Sequence, residues 1–157
     1  MNLKSYKLEA DRELLLFEFF SEGPRGRIKK VVQYAESNLK NFYNLGFGDE
    51  HPATKEIDDL SVTNNGDSQQ VLTTVAASLY AFTERYPDAW VYATGSTGGR
   101  TRLYRMGIAN NLTDIRADFD VYGLLNDDWH PFAPGNDYAA FLVRRKKARS
   151  HDAPTLE

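Results

Sequence analysis

The chain has 157 residues, 41% of them hydrophobic and 26% charged, a balance that fits one soluble domain of ordinary size. A formal net charge of −3 speaks against non-specific nucleic-acid binding by the whole surface. With no cysteine, disulfides and thiolate metal sites are excluded; the opening MNLKSYKLEADRE lacks the apolar core of a signal peptide, so a cytoplasmic location is expected.

Residues 14–20 and 27–34 read as two strands joined by the turn GPRG at 23–26. The first is apolar at both alternating sets of positions, which predicts cover on both faces; its interruption by Glu18 and its shortness exclude a membrane span. In the second, Ile28, Val32 and Tyr34 share a face with Lys30. Tyr43, Leu45 and Phe47 alternate with polar or glycine positions and predict a half-buried strand. A fourth strand over 56–63 completes an antiparallel meander.

Asp67 is placed to cap a helix, with Gln70 completing a capping box. Val71, Val75, Leu79, Phe82 and Tyr86 then form one apolar stripe, and Pro87 ends it. A strand over 89–94 follows, so that 56–63, the helix and 89–94 are expected to make a right-handed parallel crossover. A second helix is predicted over 98–112, and closing strands over 118–125, 129–132 and 138–144. The predicted class is α+β: a mixed, largely antiparallel sheet of about eight strands with two helices packed against it. Residues 1–146 form the expected single domain, and 147–157 a basic, then polar tail expected to be disordered.

The stretch WVYATGSTGGRTRLYR at 90–105 carries the strongest chemical pattern. A strand breaks into small residues and two adjacent glycines, then opens a segment bearing three arginines. Unpaired N–H groups and the dipole at a helix start favour an anion. Ser96, Thr97, Gly98, Gly99, Arg100, Arg102 and Arg105 are the candidate anion-binding residues. The glycine spacing matches neither a phosphate-binding Walker loop nor a dinucleotide fingerprint. On a helix Arg102 and Arg105 share a face. The alternative is that Ser96 or Thr97 only caps the helix and the arginines pair with Asp114, Asp118 or Asp120.

Other constellations are weaker. Asp49, Glu50, Glu56, Asp58 and Asp59, with His51 and Lys55, could gather at a strand end in the manner of a Mg²⁺ site, but the spacing matches no nuclease signature. No metal ligand set and no cofactor are assigned. His51, His130 and His151 show no ligand spacing, and His130 before Pro131 reads as a packing residue. Trp90, Tyr92 and Tyr104 flank the basic turn and either stack on bases or fill the core. RRKKAR at 144–149 reads as a solvated basic run.

The segments IDDLSVTNNGD (57–67), YAFTERYPDAWVYATGSTGGRTRLYRMGI (80–108) and YAAFLVRRK (138–146) are similar to a family of uncharacterised bacterial single-domain proteins. The resemblance implies one domain and carries over no catalytic residue. The expected function is non-enzymatic binding of an anionic group (a nucleotide, RNA phosphate or acidic partner protein) at the glycine-rich turn. Two alternatives stand beside it: a small metal-dependent nuclease or phosphate-transfer enzyme, and a protein-interaction module whose arginines are structural. No membrane partner is expected.

Overall fold

Alternation at a period of two builds most of this molecule. The computed structural model describes residues 4–50, 57–58, 65–95 and 98–147, with the backbone alone at 57–58 and 98–100. Along β2 (Leu16–Gly23), Phe17, Phe19 and Ser21 are buried, whereas Leu16, Glu18 and Phe20 on the opposite face are half-buried. Residues 14–20 are thus not covered equally on both faces, contrary to expectation. The strand starts late because Leu14 sits in a bend at φ 59°. There Asp11 accepts the Leu14, Leu15 and Leu16 N–H groups.

β2 pairs antiparallel with β1 (Glu9–Ala10) on one side and with β3 (Gly26–Glu36) on the other. β3 pairs with β4 (Phe42–Glu50), the predicted meander. The described part of the expected fourth strand is β5 (Ile57–Asp58), antiparallel to the end of β4 at Asp49 and Glu50. After α1 (Ser68–Arg85), β6 (Trp90–Ala93) runs parallel to β4 at residues 42–45. The parallel crossover therefore links β4 to β6, not β5 to β6. The described residues of β5 pair with the end of that β4 edge, and β6 takes its beginning.

α2 (Gly98–Asn110) and α3 (Leu112–Asp118) lead to β7 (Phe119–Leu125), β8 (Asp128–Pro131) and β9 (Phe141–Arg145). β9 enters between β6 and β7, so the order is β1-β2-β3-β4-β6-β9-β7-β8 with β5 also on β4. The class is α+β, a mixed and mostly antiparallel sheet. Among the described residues there are three helices where two were expected. The predicted 98–112 helix breaks at Asn111, which is buried and turns its side-chain amide back to the Gly107 carbonyl at 2.9 Å. Asn126 and Asp127, both at positive φ, make the tight turn between β7 and β8 that a right-twisted hairpin demands.

All three helices contribute to the core on one side of the sheet. Val71, Val75 and Phe82 of the α1 stripe are buried, with Leu79 and Tyr86 packed at its margin. Asp67 does not cap α1 through its side chain. Its carboxylate instead accepts the Tyr6 hydroxyl at 2.6 Å and the Ser21 hydroxyl at 2.5 Å, tying the helix start to β2 and to the N-terminal segment. Tyr6 also stacks on Phe19. Among the described residues no helix is long and apolar enough to cross a membrane.

In the basic run, Arg144 and Arg145 at the end of β9 are half-buried, whereas Lys146 and Lys147 are exposed, as expected of a solvated run, though tethered. Arg145 donates to Thr83 Oγ1 at 2.8 Å, Lys146 to the Arg116 carbonyl at 2.7 Å, and Lys147 to Asp88 at 2.8 Å. Residues 148–157 lie outside the described residues.

One close approach locks the sheet to the loop before β9. Gly123 of β7 lies against the buried Tyr138 ring, where a Cβ would stand 2.3 Å from the nearest ring carbon. Phe132 and Phe141 flank that ring, and its hydroxyl accepts the Ala133 N–H at 3.0 Å. Gly123→Ala is expected to cost about 1–3 kcal/mol by overpacking. Denaturant unfolding measures it, and a loss under about 0.5 kcal/mol would mean the ring moves aside freely.

Candidate anion-binding site

The candidate turn hangs from the end of β6. Thr94 Oγ1 donates to the Ala139 carbonyl at 2.9 Å, and the Gly95 N–H donates to Thr101 Oγ1 at 3.0 Å. A first-turn threonine of α2 thus holds the strand end against the helix start. Gly98, Gly99 and Arg100 have helical backbone as the first residues of α2. Ser96 and Thr97, including their expected capping role, lie outside the described residues, as does the Arg100 side chain.

Arg102 is exposed and makes no ion pair among the described residues. Arg105, three residues on, is largely covered and donates to the Asp137 carboxylate. This partner is none of the three anticipated. Asp118 instead accepts the Tyr80 hydroxyl at 2.6 Å, Asp120 pairs with Arg144 at 3.5 Å, and Asp114 stands in the first turn of α3. Asp118 and burial together raise the Tyr80 hydroxyl well above its ordinary pKa, burial being the larger cause.

Asp137 was not singled out by its sequence context. It comes from the loop between β8 and β9, 32 residues beyond Arg105, and its side chain is 93% exposed. The loop is nevertheless well held. Gly135 takes φ 93°, and the Asn136 amide donates to the Ala133 carbonyl and the Tyr138 hydroxyl at 3.3 and 3.1 Å. A guanidinium of this kind takes a carboxylate or phosphate in a fork of parallel hydrogen bonds. An ion pair with so exposed a carboxylate is worth about 0–1 kcal/mol.

The acidic group behaves differently. Asp49 and Asp58 are brought opposite each other in the β4–β5 pairing, as hairpin geometry suggested. But Asp49 is met by buried Lys30 at 2.5 Å, and Glu50, one residue on and across the sheet, by Lys29 at 3.3 Å. Burial alone would lower the Lys29 ammonium; the flanking Glu50 and Glu18 outweigh it and raise the pKa. A cation here would compete with lysines already in place. Among the described residues no three His, Asp or Glu side chains gather as a ligand set. His51, Lys55, Glu56 and Asp59 lie outside them.

The aromatic residues separate. Tyr104 is buried among the core side chains, so it does not flank the turn as a stacking surface. Trp90 and Tyr92 lie on the sheet face away from that core. They are joined there by Phe42, Tyr122 and Trp129, which the sequence reading did not connect to them. One row across the strands reads Phe42, Trp90, Arg144, Asp120, with the Arg144 guanidinium 4.3 Å from the indole centroid. His130, expected as a packing residue, is exposed on β8.

No curated protein and no solved structure gives a significant match to this chain. The model of the family of unknown function DUF6934 matches residues 2–146, nearly the whole chain, and the protein belongs to that family.

Proposed function

We propose that this protein is a non-enzymatic binding protein that engages an anionic group at the β6–α2 turn, with Arg102 and Arg105 as its charged contacts. The observation that carries this reading is the state of the two arginines. Arg102 is exposed without an ion pair among the described residues, and Arg105 already holds a carboxylate in an exchangeable, exposed contact. Asp137 occupies Arg105 as an anionic ligand would. Nucleotide phosphates, RNA phosphates and the carboxylates of an acidic protein all fit this chemistry. Gly98, Gly99 and Arg100 at the helix start, with Ser96 and Thr97 before it, complete the proposed site. A cytoplasmic, bacterial protein without cysteine is the setting proposed for it.

Removing the internal competitor tests this directly. Asp137→Asn is expected to tighten binding of phosphate, nucleotide or short RNA by up to about fivefold, the worth of an exposed ion pair. Titration at low salt reads the change. Unchanged affinity for every anion would take Arg105 out of the site.

The Arg105–Asp137 contact also supports one competing reading, an interaction module whose arginines are structural. Under that reading Asp137→Asn lowers the melting temperature and leaves anion affinity alone.

A further inference from the structure

We infer that the cleft between α1 and α2 is a binding site for the alkyl chain of a small neutral amphiphile. A cavity of about 80 Å³ lies there. Tyr34, Val91 and Phe141 of the sheet floor it, and Val75, Tyr104 and Ile108 of the two helices wall it. The room comes from small side chains, Ala76 on α1 and Ala93 on β6. At the crossing itself Gly107 lets the helices touch, since a Cβ there would come 3.2 Å from Leu72 Cδ2. The floor is buried, whereas Ala76, Leu79, Gly107 and Ile108 at the rim are half-exposed, so the cleft opens to solvent between the helices.

Chemistry selects the occupant. Only Tyr34 and Tyr104 among the lining residues carry a polar side-chain atom. The Tyr34 hydroxyl is already paired with Ser78 Oγ at 2.8 Å. A trapped water needs two to four polar partners, so the lining favours apolar contents. The space is roughly half that of an apolar cavity of about 150 Å³ that takes up benzene in another protein. A chain one methylene wide suits it better than a ring, with any polar head left at the half-exposed rim. This site stands apart from the arginines and does not depend on them.

Methyl-resolved NMR of the full chain, titrated with n-alkanols from methanol to hexanol, tests the proposal. The Leu72, Val75, Ile108 and Val143 methyls are expected to shift. Affinity should rise roughly fourfold for each added methylene, until the cleft is full. Ala76→Leu and Ala93→Val are each expected to fill the cleft and abolish the shifts; either suffices if the other fails to fold. Shifts confined to other parts of the molecule, affinity independent of chain length, or undiminished binding in a folded filling variant would overturn the proposal.

Discussion

Phe82→Ala is expected to lower stability by about 3–5 kcal/mol, the range for emptying a fully buried aromatic site. Phe82 is 0% exposed and stands where α1 meets the sheet. Its ring stacks on Tyr34 with centroids 4.2 Å apart, meets Tyr43 edge-on at 4.9 Å and lies against Tyr86 at 5.0 Å. These rings join β3, β4 and the helix end, so truncation removes contacts on three sides at once. For a chain of this size, about 2–4 °C per kcal/mol translates into a fall in melting temperature of the order of ten degrees. Trp129→Ala, at an exposed position on the far face, is the control and should shift it far less. Equal shifts for the two would mean that α1 does not dock on the sheet through this cluster.

Gly23→Ala should be nearly as damaging, by a different mechanism. A Cβ on Gly23 would stand 2.0 Å from the Asn65 carbonyl oxygen, a backbone atom that no rotamer change can move. Asn65 is buried and stitches the β2–β3 hairpin to the start of α1. Its side chain accepts the Arg25 N–H at 2.7 Å and donates to the Gly26 carbonyl at 2.9 Å and Ser21 Oγ at 3.2 Å. Pushing the hairpin away strains or breaks all three bonds. The expected loss is about 3 kcal/mol or more, at the upper end for overpacking. Pro24→Ala, next to it and exposed, should cost much less. Here the clash is with backbone, so no second-site change at the Asn65 side chain should rescue Gly23→Ala. At Gly123 the clash is with a side chain, and trimming Tyr138 should relieve it. Rescue of Gly23→Ala by Asn65→Ala would refute the backbone argument.

Local periodicity carried the elements; pairing over distance did not. The period-two pattern of residues 43–47 and the period-3.6 stripe from Val71 to Tyr86 each report a face directly, and both faces are where the pattern put them. The break at Asn111 was hidden, because apolar residues on either side of Asn110 and Asn111 continue the stripe, while the Asn111 N–H bonds the Ile108 carbonyl and its amide the Gly107 carbonyl. The motif at Asp67 placed the helix start correctly but not its side-chain bond, since Tyr6 and Ser21, distant in sequence, claim the carboxylate. That β6 pairs with the beginning of the β4 edge, whose end carries β5, is contained in no window of sequence.

The same limit applies to the site. The glycine-rich strand-to-helix turn was legible from residue types and spacing, and α2 does begin at Gly98. The partner of Arg105 was not, because Asp137 reaches it through a loop order set by Gly135, Asn136 and Tyr138. Nor was the grouping of Trp90 and Tyr92 with Tyr122 and Trp129, which needs β9 inserted between β6 and β7.

Anion binding at the turn is the central claim, and a thermal-shift comparison of the native chain with Arg102→Ala/Arg105→Ala tests it most directly. Phosphate, nucleotides and short RNA and DNA serve as probes, at low and high salt. A ligand at about 100 times its Kd adds about 2.7 kcal/mol of stability, several degrees here. The account predicts such a shift at low salt for the native chain, its reduction at high salt, and its loss in a double variant that still folds. An equal shift in the double variant, or none with any anion, would contradict it.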